Sequence, residues 1–197
     1  MIPGVILAGG RATRMGGGDK GRLAVRGKPL VAHVIDRLGP QTDALALNVN
    51  GDPGRWADLG LPVVADATDD RPGPLAGVLA GLDWAAGQGA ETIVTAAADT
   101  PFLPRDLVPR LRAAAGPAGL ALAATREDGR TWPQPVFGLW PVALREDLRA
   151  ALAQGTRKVL AWTDRHGAGM AVFPDAEAFF NVNTPEDLAR AEAMRCA

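Results

Sequence analysis

The sequence predicts an α/β fold: a Rossmann-like three-layer sandwich in which helices cover both faces of a mostly parallel central sheet. Short apolar runs of the length of buried strands alternate with helical patterns of about ten residues. Several of the helical patterns begin at a proline and end at a glycine, as helices commonly do. No repeat or low-complexity linker interrupts the 197 residues, so we expect a single domain over residues 1–197.

Eight apolar runs are predicted to be strands, because each is short and has the length expected of a buried strand. They are Val5–Leu7, Ala44–Val49, Pro62–Ala65, Ile93–Ala98, Leu120–Ala124, Val136–Leu139, Met170–Phe173 and Phe179–Val182. Trp132 and Trp140 flank the sixth run, and we expect both in the core.

Helical patterns separate most of these runs. One begins at Pro29, places Leu30, Val34 and Leu38 on one face and ends at Gly39. The others run from about Leu75 to Ala86, after Pro104, over Val142–Gln154 and over Pro185–Met194. Strands that alternate with helices indicate βαβ units, and such sheets bind ligands at the carboxyl ends of their strands.

A glycine-rich, basic loop follows the first predicted strand. Residues 11–28 hold six basic side chains and one acid, although the net charge of the whole chain is −1. Glycine allows backbone N–H groups to approach an oxyanion closely, and clustered positive charge attracts one. The loop is therefore a candidate phosphate site. Two common phosphate-binding motifs do not fit it. Gly16–Gly21 matches the dinucleotide-binding pattern G-x-G-x-x-G, but it lies well past the strand end. The P-loop requires Gly-Lys followed by Ser or Thr, and Gly27-Lys28 precedes Pro29.

Acids and amides follow other predicted strands. Asp99 directly follows Ile93–Ala98, where a carboxylate would face the ligand crevice and suit Mg²⁺, although a turn-forming Asp before proline is also common. Asn48 and Asp66 end two further strands and suit the hydrogen-bonding edge of a base. From the residues alone, Asp66 is equally well a turn residue, and Asp69-Asp70 could replace it.

Two amides alternate along the last predicted strand. Asn181 and Asn183 would face one side while Val182 faces the core. Thr184, Pro185 and Asp187 form a capping-box pattern, which explains that stretch structurally. Arg157-Lys158 opens a later helix, where it could meet an acceptor phosphate, although a solvated basic pair is the simpler interpretation.

The loop from Leu7 to Lys20 resembles the signature loop of nucleotidyltransferases that transfer an NMP from an NTP. Its double glycine after Leu7-Ala8 is most similar to the molybdenum cofactor guanylyltransferase family. The resemblance continues at four further anchors spread over nearly the whole chain. These are Gly27–Leu30, Pro72–Gly77, Asp99–Pro101 and Asn181–Pro185.

The resemblance implies that GMP is transferred from GTP to the phosphate of molybdopterin, or molybdenum cofactor, with Mg²⁺ as the cofactor. It implies catalytic roles for Arg14, Lys20 and Asp99, and a metal-ligand role for Asp99. The implied GTP site comprises Leu7, Ala8, Gly9, Gly10, Lys20, Asn48, Asp66 and Asp99. Asn181 and Asn183 would bind the acceptor. Transient contacts with other proteins of cofactor synthesis or with molybdoenzymes would also follow.

Composition excludes several other classes. The balanced charge argues against a nucleic-acid or membrane-surface binder, and a single cysteine excludes disulfides within the chain. The longest uncharged stretch, Thr131–Leu144, is shorter than the roughly 18 residues of a membrane helix. We therefore expect a cytoplasmic protein. The sequence leaves no amphipathic stripe unexplained, so we expect a monomer. A cytidylyl- or sugar-phosphate nucleotidyltransferase on the same scaffold, or a non-catalytic nucleotide-binding module, remains an alternative.

Overall fold

The structure is a computed structural model that describes residues 1–9, 19–66 and 73–194. The strands in these ranges are β1 (Gly4–Leu7), β2 (Ala24–Val25), β3 (Lys28–Pro29), β4 (Leu45–Asn48), β5 (Val63–Val64), β6 (Thr92–Ala97), β7 (Ala121–Glu127), β8 (Arg130–Pro141) and β9 (Gly169–Phe173). The helices are α1 (Leu30–Leu38), α2 (Pro74–Ala86), α3 (Leu107–Ala114), α4 (Arg145–Ala153), α5 (Val159–Thr163) and α6 (Pro185–Ala193).

Seven of the described strands form one sheet in the order β5-β4-β1-β6-β8-β7-β9, and β2 and β3 form a separate antiparallel pair. The pairs β1–β4, β1–β6, β4–β5 and β7–β9 are parallel. Only β8 runs against its neighbours β6 and β7 in the described sheet. The prediction of a mostly parallel central sheet is confirmed.

Two apolar cores, one on each face of the sheet, account for the three layers. Because strand side chains alternate between faces, Val5 packs with α2, α4 and α5 while Ile6 packs with α1 and α3. The first core contains Leu75, Leu82, Leu148 and Trp162. The second contains Val34, Leu38, Leu107 and Leu111. Leu30, Val34 and Leu38, the apolar positions predicted for α1, are all fully buried.

The antiparallel strand β8 belongs to a hairpin with β7 that the predicted strands did not include as such. Asp128 and Gly129 form its turn with φ values of 49° and 74°, which suit an Asp-Gly hairpin turn. The pairing of β8 with β6 ends at Thr95–Gly138, so the first half of β8 extends beyond β6. This extension explains why Trp132 is 50% exposed, against expectation, whereas Trp140 is fully buried as predicted.

The predicted strand Phe179–Val182 is wrong. Residues Glu177–Phe179 form a 3-10 helix, and residues 180–183 have no regular secondary structure. The apolar run arises instead from aromatic packing, since the Phe179 ring lies 5.1 Å from the rings of both Phe137 and Phe173. Across residues 1–9, 19–66 and 73–194, no helix has the length and apolarity needed to cross a membrane.

Candidate active site

A cavity of about 380 Å³ opens at the carboxyl ends of β1, β4 and β6. Its walls include six residues predicted for the site: Leu7, Gly9, Asn48, Asp66, Asp99 and Asn181. The ends of these strands are tied together, because the N–H of Ala8 donates to Asn48 O at 2.8 Å and the N–H of Ala98 donates to Leu7 O at 3.0 Å. The cavity thus lies where parallel sheets bind ligands.

Lys20 lies beside this cavity and connects the N-terminal part of the chain to the C-terminal part. Its Nζ donates to Asp99 Oδ2 at 2.5 Å, to Asn181 Oδ1 at 3.3 Å and to Asn183 Oδ1. Lys20 is only 8% exposed, so its charge is held mainly by these three oxygens. A buried ammonium requires such partners, because an unpaired buried charge is strongly unfavourable. Three residues predicted separately for catalysis and for acceptor binding therefore meet at one cation.

The segment that carries the two asparagines is fixed by its backbone. The N–H of Val182 donates to Asp99 O at 3.0 Å, and the Val182 side chain is fully buried. Asn181 and Asn183 therefore flank a buried residue and both reach Lys20. Their shared orientation agrees with the prediction, although it arises outside a strand.

A helix cap holds the far end of this segment. Thr184 and Asp187 form the predicted capping box: the N–H of Asp187 donates to Thr184 Oγ1 at 3.1 Å, and the N–H of Thr184 donates to Asp187 Oδ2 at 3.0 Å. Asp187 Oδ2 also accepts the N–H of Asn183 at 2.9 Å. This bond, with the contribution of Thr184 and the charge of Lys20, holds the pKa of Asp187 below its usual range.

Asp66 lies on the opposite side of the cavity between two asparagines. Asn48 Nδ2 donates to Asp66 Oδ1 at 2.9 Å, and Asn50 Nδ2 donates to Asp66 Oδ2 at 2.7 Å. Asn48 Nδ2 also donates to Val64 O at 3.2 Å, so both of its N–H groups have partners within the protein. Asn48 thus supports Asp66. Asn50 was not predicted, although it repeats the Asn-x-Asn spacing that singled out Asn181 and Asn183.

Some of the other residues singled out in the sequence lie outside the described part of the chain, and others do not line the cavity. Gly10 and Arg14 lie outside the described residues. Lys28, the other lysine of the basic region, pairs with Asp36 on helix α1 and does not reach the cavity lining. Arg157 donates to the carbonyls of Leu152 and Thr156 at 2.7 and 3.0 Å, which favours its structural interpretation.

The arrangement defines the class of protein: an α/β protein with a cavity at the carboxyl ends of parallel strands and a lysine–aspartate pair beside it. Residues 4–168 match the family described as the MobA-like NTP transferase domain. The chain therefore belongs to the MobA-like NTP transferase family.

Close relatives share one name. A protein from Cereibacter sphaeroides named molybdenum cofactor guanylyltransferase is 55% identical over 191 residues, which cover 97% of this chain and 95% of the relative. A protein of the same name from Bradyrhizobium sp. (strain ORS 278) is 52% identical over 198 residues, which cover 98% of this chain and 92% of the relative. Another protein of this name, from Mesorhizobium japonicum, is 45% identical over 200 residues, which cover 98% of this chain and 95% of the relative.

Solved structures agree in fold. Molybdopterin-guanine dinucleotide biosynthesis protein A from Archaeoglobus fulgidus superposes with a TM-score of 0.71 at 24% identity, covering 98% of this chain and 97% of that one. A nucleotidyl transferase from Methanothermobacter thermautotroptrophicus superposes with a TM-score of 0.75 at 22% identity, covering 98% of this chain and 96% of that one. At these identities the likeness shows the fold, and it agrees with the predicted Rossmann-like sandwich.

Proposed function

We propose that this chain transfers GMP from GTP to the phosphate of molybdopterin, or molybdenum cofactor, giving the guanine dinucleotide form and pyrophosphate. The observation that carries the proposal is the contact of Lys20 with Asp99 in the cavity of a MobA-like chain. The name shared by relatives up to 55% identical supplies the particular reaction. A non-catalytic binding module would have no need to keep both charged groups together.

The proposed reaction needs no nucleophile from the protein. An oxygen of the acceptor phosphate forms a bond to the α-phosphorus of GTP, and the bond from that phosphorus to the bridging oxygen of the β-phosphate breaks. Pyrophosphate leaves with the bonding electron pair. The protein must align the two phosphates and neutralise the charge that accumulates between them. The Lys20 ammonium contacts Asp99 and Asn181, which line the cavity, and a buried cation stabilises such charge better than an exposed one.

The oxygens around Lys20 also fit Mg²⁺. Asp99 Oδ2, Asn181 Oδ1 and Asn183 Oδ1 converge on one positive charge, and carboxylate and amide oxygens are the hard donors that Mg²⁺ prefers. Asp99 would hold the metal, with triphosphate oxygens and water as further ligands. When bound, the metal supplies positive charge to the phosphate oxygens. Asp99 contributes the negative charge that both cations require.

Base recognition is assigned to the opposite wall. Guanine presents two neighbouring donors, N1–H and the N2 amine, and a carboxylate presents two neighbouring acceptors. Asp66 is the carboxylate on that wall of the cavity. GTP would therefore extend from Asp66 towards Lys20, with the backbone of Leu7 to Gly9 between them. Asn181 and Asn183 would complete the acceptor side.

The protein would act as a cytoplasmic monomer that meets other proteins of cofactor synthesis and molybdoenzymes transiently. In support, the large apolar side chains exposed on the described surface are Met1, Trp132 and Met170, which belong to separate strands or ends. A stable protein interface has an apolar patch at its centre.

The test is a nucleotide panel with the acceptor. GTP, CTP, UTP and ATP are each incubated with molybdopterin and Mg²⁺, and both pyrophosphate and the dinucleotide product are measured. We expect product with GTP at least tenfold faster than with the other three. A preference for CTP or UTP would assign the chain to a different nucleotidyltransferase, and nucleotide binding without any pyrophosphate release would make it a binding module.

A further inference from the structure

We propose that Asn50 is a positioning residue for base selection: it fixes the Asp66 carboxylate so that both oxygens face the donors of guanine. This inference rests on the proposed function, because it assigns a task to the base side of the same cavity. Asn50 lines that cavity together with Asp66.

Asn50 and Asp66 are joined by two hydrogen bonds of opposite direction. Asn50 Nδ2 donates to Asp66 Oδ2 at 2.7 Å, and the backbone N–H of Asp66 donates to Asn50 Oδ1 at 3.2 Å. The first bond engages the carboxylate and the second engages the backbone of the same residue. Together they fix the side chain of Asp66 relative to its own main chain.

The sheet register explains why these residues meet. Strands β4 and β5 are parallel and pair Asn48 with Val64. Asn50 and Asp66 each lie two residues beyond this last pair, in the segments that leave the two strands side by side. Their hydrogen bonds therefore join the two segments directly beyond the strands that form the base side of the cavity.

Asn48 and Asn50 donate to different oxygens of the Asp66 carboxylate. Buried Asn48 donates to Oδ1 and exposed Asn50 donates to Oδ2. Each carboxylate oxygen can accept two hydrogen bonds, and within residues 1–9, 19–66 and 73–194 one acceptor position remains on each oxygen. Two acceptor positions side by side match N1–H and the N2 amine of guanine. Hypoxanthine lacks the amine, so it offers these two acceptor positions only one hydrogen bond. Xanthine has a carbonyl in place of the amine, and its oxygen would face a carboxylate oxygen.

Asn50 contributes to guanine recognition by fixing the orientation of the Asp66 carboxylate. The terminal torsion of an aspartate is broad, so a carboxylate held on one oxygen alone samples many planes. A guanine that must first order the carboxylate binds more weakly than one that meets it already ordered. Loss of the Asn50 donor should therefore reduce the benefit of the N2 amine more than it reduces nucleotide binding in general.

The experiment compares GTP with inosine triphosphate, using calorimetric binding to the full chain with Mg²⁺. Asn50→Ala removes both bonds, whereas Asn50→Asp retains the acceptor for the Asp66 N–H and places a second carboxylate against Oδ2. Gln88→Ala, which alters an exposed amide in a turn away from the cavity, is the matched control. Asp66→Ala tests the base site itself, and thermal unfolding of each variant shows that it is folded.

We expect the wild type to bind GTP several-fold more tightly than inosine triphosphate. In Asn50→Ala the affinity for GTP should fall about tenfold, the effect of one hydrogen bond to a charged group, and the preference over inosine triphosphate should fall towards one. Asn50→Asp should lose at least as much. Equal losses for both nucleotides, or wild-type binding by Asn50→Asp, would overturn the inference.

The failure of the proposed function gives a different result. If the wild type binds both nucleotides equally, or if Asp66→Ala leaves the preference intact, Asp66 does not select the base and the proposed base site is wrong. If Asp66→Ala abolishes the preference while Asn50→Ala preserves it, the base site stands and Asn50 has no part in it.

Discussion

Asn48 and Gly77 fit together only because residue 77 has no side chain. A Cβ at position 77 would lie 2.3 Å from Asn48 Oδ1 and 3.0 Å from Leu7 Cδ2. Asn48 in turn donates to Asp66, so the absence of one methyl group on helix α2 determines where the carboxylate of the base site can lie.

The first prediction tests this relationship with two glycines of helix α2. Gly77→Ala should push Asn48 away and weaken GTP binding about tenfold or more, because the Asp66 carboxylate loses its support. Gly81→Ala meets Val5 Cγ2 at 2.8 Å instead, in the core away from the cavity lining. Gly81→Ala should lower the melting temperature, since overpacking costs about 1–3 kcal/mol, and leave the affinity of the folded protein for GTP within about twofold. Similar losses of affinity in both variants would contradict the argument.

The second prediction concerns the two lysines of the basic region. Lys20→Ala should slow transfer and weaken GTP binding, and Lys20→Arg should recover only part of the loss, because a planar guanidinium replaces a compact ammonium among three oxygens. Lys28→Ala is the matched control, since Lys28 pairs with Asp36. Steady-state rates and GTP titrations measure both effects. A larger effect at Lys28 than at Lys20 would move the phosphate site to the other part of the loop.

The third prediction is that Asp99→Ala abolishes Mg²⁺-dependent turnover while the fold survives. Asp99 lies two residues beyond the end of β6, its side chain is 16% exposed and it belongs to neither core, so its removal opens no part of either core. Turnover should fall about 10²-fold or more, the scale for loss of one electrostatic stabiliser. Asp106→Ala, which removes an exposed carboxylate paired with Arg110, is the control. Near-normal turnover of Asp99→Ala across a Mg²⁺ series would remove Asp99 from the mechanism.

The fourth prediction separates the two substrates. The double change Asn181→Ala and Asn183→Ala should raise the KM for molybdopterin, because amide contacts of about 1 kcal/mol each are lost. Affinity for GTP should change less than this KM, and by no more than about twofold, because Asp99 still holds Lys20. Circular dichroism and thermal unfolding must show that α6 remains intact, since Asn183 precedes its cap. A folded double variant that binds GTP poorly would assign both amides to the nucleotide side.

The fifth prediction concerns pH. The pKa of Asp187 is below its usual range in the folded chain, chiefly because the carboxylate accepts the N–H of Asn183. Its stabilisation is therefore fully present above the unfolded pKa of about 3.9 and is lost as the pH falls through the lower folded value. Asp187→Asn should lower the melting temperature at neutral pH and have a diminishing effect towards pH 3. A constant difference between pH 3 and 7 would show that the charge of Asp187 does not contribute.

Much of the fold could be predicted because periodicity and helix boundaries are local properties. The helix after Pro29, for instance, ends at Leu38, directly before the predicted Gly39. The direction of β8 was not predicted, although Asp128-Gly129 is a strong hairpin signal. Pro133, Pro135 and Pro141 interrupt the apolar pattern there, so only Val136–Leu139 was predicted from a strand of 12 residues.

The site was predictable wherever a residue follows a strand. Asp99 and Asp66 were found in this way, and both line the cavity. The partners were not predictable: that Lys20 would bind Asn183, or that Asn50 would bind Asp66, depends on crossovers and on the register of β4 and β5. The strand proposed for Phe179–Val182 was wrong because aromatic packing and strand burial produce the same apolar run.

The contact between Lys20 and Asn183 spans 163 residues, and a small apolar cluster secures its far side. Phe180, Val182, Leu188, Ala191 and Met194 pack there against Val25, Leu30 and Phe102, apart from the two large cores. Small, peripheral units of this kind open by local fluctuation more readily than the sheet unfolds. Such an opening would carry both amides away from Lys20 while every strand stays paired. Loss of activity in denaturant would then precede any change in the spectroscopic signal of the sheet, and amide hydrogen exchange would be faster at Val182 and Asn183 than in the strands of the sheet.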